Sequence, residues 1–172
     1  ERYFERALNQ ASTAAGSQSV AVGRIKGLSA STLVLLSRFK DAQAVAESAY
    51  ALLANQLGND HPETITALVS LGAVQEQLRQ DVEAQTNLRS AVGLIEQRFG
   101  TQDARLVKPL LLLGEVLRRN RDFAEGRALL ERGAAISRLR LGERSSQLAA
   151  ILNTRARLES EAGDSAAAVV AL

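Results

Sequence analysis

The stretch Leu57-Gly58-Asn59-Asp60-His61-Pro62-Glu63-Thr64 holds the only histidine of the 172-residue chain. Flanked by Asp60 and Glu63, His61 has two opposed readings: a metal ligand or general base, or the residue that opens a helix. Pro62 favours the second, because proline is preferred at the first helical position, where no N–H is needed. Ser19, Asp103 and Ser145 stand at whole multiples of 42 residues from His61. All three are favoured N-cap residues. A metal site would want further His or Cys, and the chain has neither. His61 is therefore read as a helix entry.

The step of 42 runs through the whole chain. Gly16, Gly58, Gly100 and Gly142 follow it, as do Ala30, Gly72, Gly114 and Ala156. Further small-residue columns are Ala42, Ala84, Gly126, Ala168 and Ala7, Ala49, Ala91, Gly133. Large apolar columns run Leu68, Leu110, Leu152 and Leu52, Leu94, Ile136. A fixed period of this length is the mark of a stacked repeat.

Each repeat reads as two helices. Ile65, Leu68, Leu71, Gly72 and Gln75 keep i, i+3, i+4 spacing. The polar turn Arg79-Gln80-Asp81 interrupts it, and Ala84, Leu88, Ala91, Val92 and Ile95 form a second helical stripe. Gly100 then suits a helix stop, where glycine accepts positive φ. No long period-two alternation suggests a strand. The expected fold is all-α: a right-handed superhelical solenoid of antiparallel helix pairs, forming one repeat domain over residues 1–172. Residues 1–16 read as the second helix of a preceding repeat. Full repeats follow at 17–58, 59–100 and 101–142, and a partial one at 143–172. Both ends interrupt a repeat, and the first residue is Glu1, so the chain reads as a segment of something longer.

Two departures stand out. Repeat 1 has Lys26 and Ser29 where repeats 2 and 3 have leucine, so its first helix is expected to be shifted or loosely packed. Pro109 falls about two turns into a helix capped by Asp103, where it would crowd the preceding turn at ~3 kcal/mol. A kink is expected there, or a helix that really starts near Lys108.

Composition narrows function. No cysteine means no disulfide framework and no thiolate site. No apolar run approaches the ~18 residues of a membrane span. Net charge is +2, with 9 Lys/Arg against 10 Asp/Glu in residues 1–100 and 12 against 9 in 101–172.

These columns resemble a tetratricopeptide repeat, in the 42-residue form typical of kinesin light chains and of many bacterial regulatory proteins. The inter-repeat signature L-G-x-x-H-P stands as Leu57 to Pro62. Leu71-Gly72 and Leu113-Gly114 match the first-helix pair, Glu83-Ala84 matches the second-helix E-A, and Arg6-Ala7-Leu8 matches R-A-L. The turn aromatic is kept at Phe39 and Phe123 but is Asp81 and Ser165 elsewhere. Where kinesin-type repeats often carry paired asparagines, only Asn153 matches. The resemblance implies a non-catalytic scaffold whose first helices line a groove for a protein or peptide.

Groove candidates are the first-helix residues not needed for packing: Arg24, Gly27, Ser31 and Val34 in repeat 1, and Thr66, Val69, Ser70, Ala73 and Glu76 in repeat 2. In repeats 3 and 4 they are Lys108, Leu111, Leu112, Glu115, Arg118, Ala150, Asn153, Arg157 and Glu161. Lys108, Arg118 and Arg157 beside Leu111 and Leu112 suit a peptide with an acidic residue next to an apolar one, since the arginine fork bonds both carboxylate oxygens.

Other classes fare worse. There is no phosphate loop, H-E-x-x-H or G-x-S-x-G, so no catalytic residue, metal or cofactor is expected. Arg118-Arg119-Asn120-Arg121 and Arg138 to Arg144 end helices, where cations complement the dipole. Aromatics for base stacking are few, so no nucleic acid is expected. Two alternatives to a peptide scaffold are a regulatory sensor segment of a larger signalling protein, and a self-assembly module joined through its terminal repeats. The 18 Arg against 3 Lys suit a bacterial regulator, and a cytoplasmic setting is expected.

Overall fold

The computed structural model describes residues 2–163, and among them eight α-helices, one short 3₁₀ turn and no strand. The helices are α1 (Arg2–Ala15), α2 (Val20–Leu35), α3 (Phe39–Leu57) and α4 (Pro62–Gln77). They continue with α5 (Asp81–Phe99), the 3₁₀ turn Ala104–Leu106, α6 (Val107–Arg119), α7 (Phe123–Leu141) and α8 (Ser146–Ala162). Ser165, Ala168 and the second helix expected for the last pair lie outside the described residues.

Helix entries repeat as the 42-residue step requires. Ser19 Oγ accepts from the Val22 N–H at 3.4 Å, and Ser145 Oγ from the Leu148 N–H at 3.2 Å. His61 Nδ1 accepts from the Glu63 N–H at 3.3 Å, with Pro62 as the first residue of α4. His61 is thus a cap that satisfies one of the orphan donors of a helix start. Asp103 Oδ1 accepts from the Arg105 N–H at 2.9 Å, but it opens the 3₁₀ turn rather than α6. The α-helix begins at Val107, placing Pro109 third in it. There its missing N–H has no intrahelical acceptor to lose, so the sequence needs no kink.

The first helix of each pair ends in one recurring turn. Ser37, Arg79 and Arg121 have φ of 58°, 61° and 62°, and Gly163 has 87°. In the first three turns, the N–H of this residue donates to the carbonyl three back. The next N–H donates five back, as Gln80 does to Gln75 at 3.0 Å. This is the Schellman closure, whose left-handed residue is usually glycine. Three of the four positions bear a side chain, which hid the column from the sequence.

The helices gather into two compact units, residues 1–87 and 88–172, with the boundary inside α5. In the first, α1 packs on α2, α2 on α3 and α3 on α4. Ala30, Ala42, Ala46, Leu71 and Val74 form its core, with Leu33, Val34, Val45, Tyr50 and Leu78 against them. The helix carrying Lys26 and Ser29 is not shifted, since α2 starts one repeat before α4. Lys26 reaches across to donate to Ser48 Oγ at 2.6 Å, and Ser29 is buried, donating to the Ile25 carbonyl. A cleft of about 360 Å³ opens among α1, α2 and α3 beside Ser29 and Thr32, where repeat 2 has Leu71 and Val74.

In the second unit, α6, α7 and α8 all touch one another. The seam is a stripe of glycines on α7. A Cβ on Gly126 would meet Leu158 of α8 at 2.9 Å and Leu117 of α6 at 3.4 Å. One on Gly133, two turns later, would meet Ile151 at 3.3 Å and Leu110 at 3.5 Å. Gly114 of α6 answers with a would-be Cβ 2.5 Å from Leu130 Cγ. In α8 the apolar column slips by one: Ile151 is fully buried and Leu152 half-buried. Glu159, fully buried, forks onto Arg127 of α7, its Oε1 accepting from Nε at 2.6 Å. A buried carboxylate needs such a partner, and losing it costs ~3–5 kcal/mol.

Two stability outcomes follow from this packing. Gly114→Ala should lose about 1–3 kcal/mol in urea unfolding, because Leu130 is wholly buried and cannot yield. Gly93→Ala, whose Cβ meets nothing within 4 Å, should instead gain about 0.5–1 kcal/mol of helix propensity. Arg79→Gly should also gain about 0.5–1 kcal/mol by relieving a left-handed arginine, and an unchanged midpoint would show that the turn carries no strain.

Candidate binding faces on the first helices

In the first unit a cleft of about 370 Å³ lies between α2 and α4. Its walls are apolar and small: Gly23, Gly27, Leu28, Leu53 and Ala67, with the hydroxyls Ser31, Thr66 and Ser70. Two glycines play different parts. A Cβ on Gly23 would collide with Leu52 and Leu53 at 2.9 Å, so Gly23 seats α2 on α3. A Cβ on Gly27 would meet nothing within 4 Å, so Gly27 leaves the cleft open. Leu28 is 63% exposed at its edge. Thr66, Ser70 and Ser31 each donate to the carbonyl one turn back, which leaves their oxygens as acceptors.

Arg24 reaches Glu63 with a two-pronged ion pair, Nε to Oε2 at 2.6 Å and Nη2 to Oε1 at 2.5 Å. That hydrogen bonding holds the Glu63 carboxyl below its usual value and raises Arg24. Arg24, Gly27, Ser31, Thr66 and Ser70, singled out in the sequence, therefore come together. Ala73 is half-buried. Val69 and Glu76, expected to be surplus to packing, are buried, and Val34 packs on the core. The near-continuous apolar run of α4 gives it more than one buried face, which a single helical stripe does not anticipate.

In the second unit the equivalent face belongs to α6 and α8. Arg118, expected to offer its charge to a ligand, is 7% exposed. Its Nη2 donates to Glu115 Oε1 at 2.6 Å and its Nη1 to Glu161. Arg157 Nη1 lies 3.4 Å from the same Glu115 oxygen and Arg119 Nη1 4.0 Å away. Burial opposes ionisation of Glu115, but the Arg118 hydrogen bond and the nearby guanidinium charges outweigh it and hold its pKa low. The cluster is thus largely self-neutralised. Asn153, Arg157, Ala150 and Lys108 are exposed, and Leu111 and Leu112 half-buried. Partial desolvation lowers the Lys108 pKa.

Glu63, Glu115 and Glu125, the last held low by its hydrogen bond from Arg89, share one sign of shift. A depressed folded-state pKa contributes stability that is present above the unfolded value, about 4.3, and is lost as pH falls through the folded value. The urea midpoint should hold steady from neutrality to about pH 5.5 and then fall. Glu115→Gln should be weaker at pH 7 and lose less on acidification; equal slopes would remove Glu115 from the account.

Among the described residues no helix is long and apolar enough to cross a membrane. No curated protein sequence matches the chain significantly. Solved structures do. BtubC (BKLC) from P. vanneervenii aligns over 99% of this chain and 68% of its own, with TM-score 0.83 and 21% identity. A putative kinesin light chain of Podosopora anserina with nearly identical TPR-like repeats covers 99% and 81%, with TM-score 0.78 and 18% identity. A substituted form of that protein gives TM-score 0.81 at 18% identity, over 99% of this chain and 80% of that one. At such identities the likeness concerns the fold alone. The tetratricopeptide repeat family model matches residues 25–97 and 106–172. The chain belongs to the tetratricopeptide repeat family, whose helix pairs generally serve as scaffolds for protein–protein interaction.

Proposed function

We infer that this chain is a non-catalytic scaffold that takes a peptide segment of a partner protein on its first-helix faces, with the cleft between α2 and α4 as the principal anchor. One observation carries the reading: an open, apolar cleft of about 370 Å³ whose floor is kept clear by Gly27. Its size suits one large apolar side chain, and the rim offers hydroxyl oxygens and the Arg24–Glu63 pair to an adjoining backbone or charge. The α6–α8 face takes a secondary part, through Arg157, Asn153 and Lys108 beside Leu111 and Leu112. Because Arg118 is committed to Glu115 and Glu161, an acidic ligand there competes with carboxylates already in place. That moves the anchor to the first unit.

Gly27→Leu tests this reading cleanly. The added Cβ meets nothing within 4 Å, the rest of the side chain has the open cleft to enter, and helix propensity rises, so the fold should be as stable or more so. Peptides selected on an array and re-measured by fluorescence anisotropy should bind roughly tenfold or more weakly to the plugged variant. Peptide binding indifferent to Gly27→Leu would move the site elsewhere. Absence of any peptide hit would favour the regulatory or self-assembly readings.

A further inference from the structure

The last two turns of α7 differ in character from the other second helices, and the repeat itself provides the control. Residues 132–144 carry Arg132, Arg138, Arg140 and Arg144 against Glu143 alone. The equivalent 90–102 carry Arg98 against Glu96, and 48–60 only Asp60. Leu139 stands where those repeats have Asn55 and Gln97. Arg144 stands where they have Asp60 and Gln102. The packing column is unchanged, with Leu52, Leu94 and Ile136 in step. Helix packing therefore does not require the new side chains.

Two of these residues, Arg132 and Leu139, line a formed cleft. About 430 Å³ of space lies between the end of α5, the 100–103 turn and α7, floored by Ala135, Ile136 and Leu139. Leu139 is 63% exposed. Arg132 pairs with Glu96 at 2.5 Å and donates to the Thr101 carbonyl at 2.9 Å. Arg140 Nε donates to the Gln102 carbonyl at 3.0 Å. The turn is thus tied to α7 and the cleft is built before anything enters it. Glu96 offsets Arg132, Glu143 lies 3.5 Å from Arg138, and Asp103 pairs with Arg105. Among the described residues Arg140, tied to the Gln102 wall of the cleft, and Arg144, four residues further along the chain, remain as excess positive charge in this segment.

We propose that this α7 cleft is a second protein-docking site, separate from the first-helix faces, which takes an acidic segment carrying a large apolar residue. The apolar side chain enters over Leu139 and Ile136, and the carboxylates face Arg140 and Arg144. Charge complementarity selects the acidic occupant, and the apolar floor makes it a protein segment rather than a phosphate backbone.

The test uses a labelled peptide rich in Glu and Asp with one central leucine, the same peptide with serine there, and oligouridine RNA. The protein carries Leu139→Gln with Arg144→Gln, the side chains that repeat 2 already holds at these positions, so folding is preserved. Anisotropy should show saturable, salt-sensitive binding of the leucine peptide, weakened roughly tenfold or more in the variant and for the serine peptide. Gly27→Leu should leave it unchanged. No binding up to about 1 mM, equal binding of the serine peptide, indifference to the double substitution, competition by RNA, or loss in Gly27→Leu would each overturn the proposal.

Discussion

Helix backbones in this chain approach closely enough that side chains of one helix occupy the space a Cβ would take on the next, and the other features depend on that distance. Gly114 faces Leu130, Gly23 faces Leu52 and Leu53, and Gly126 and Gly133 face pairs of large side chains from both α6 and α8. A helix cannot bury its apolar stripe alone, and few single helices of this length would be stable in water. The small-residue columns convert weak individual propensities into packed pairs. Their spacing on α7, seven residues, matches the spacing of Leu110 and Leu117 on one side and Ile151 and Leu158 on the other. Ridge and groove then coincide along two turns rather than at one point.

Close packing constrains the ends of the helices as well. A short link must turn the chain back without separating the helices it joins, so the backbone takes a left-handed residue at each first-helix end. Only Gly163 does so without a side chain. Ser37, Arg79 and Arg121 accept the unfavourable region because the Schellman hydrogen bonds and the helix that follows leave no other route. Entry to each first helix is the converse problem. Serine, histidine and aspartate solve it interchangeably, since each presents an acceptor at the right reach.

What the sequence discloses follows from this division. Columns that depend on size, such as Ala49, Ala91 and Gly133, are legible because few residues satisfy them. The cap at His61 is legible because its equivalents are all capping residues and proline follows. The left-handed turn is not, because backbone context imposes it on whatever residue is there. The candidate groove residues divide in the same way. Thr66, Ser70, Arg24 and Gly27 lie where helical phase puts them. Val69 and Glu76 do not, because α4 is buried on more than one face, and burial of neighbours cannot be read from one helix. Arg118 is legible as a cation, but not as a committed one. Its partners Glu115 and Glu161 are three residues away on α6 and across on α8, and only the packed geometry joins all three.

That pairing bears on where an interaction surface can exist at all. A repeat protein rich in arginine and glutamate tends to satisfy its own charges between neighbouring helices, as in Arg24–Glu63 and Arg89–Glu125. Exposed pairs of this kind add little stability, but they remove charge that a ligand would otherwise meet. Specificity then falls to the positions where the repeat breaks its own pattern. Gly27 has Val69 and Leu111 as its equivalents, and Leu139 has Asn55 and Gln97. At each of these a space or an apolar side chain appears that the packing columns do not call for. A departure that leaves the columns intact changes the surface without disturbing the fold, and it is at such positions that the surface of one repeat differs from that of the next.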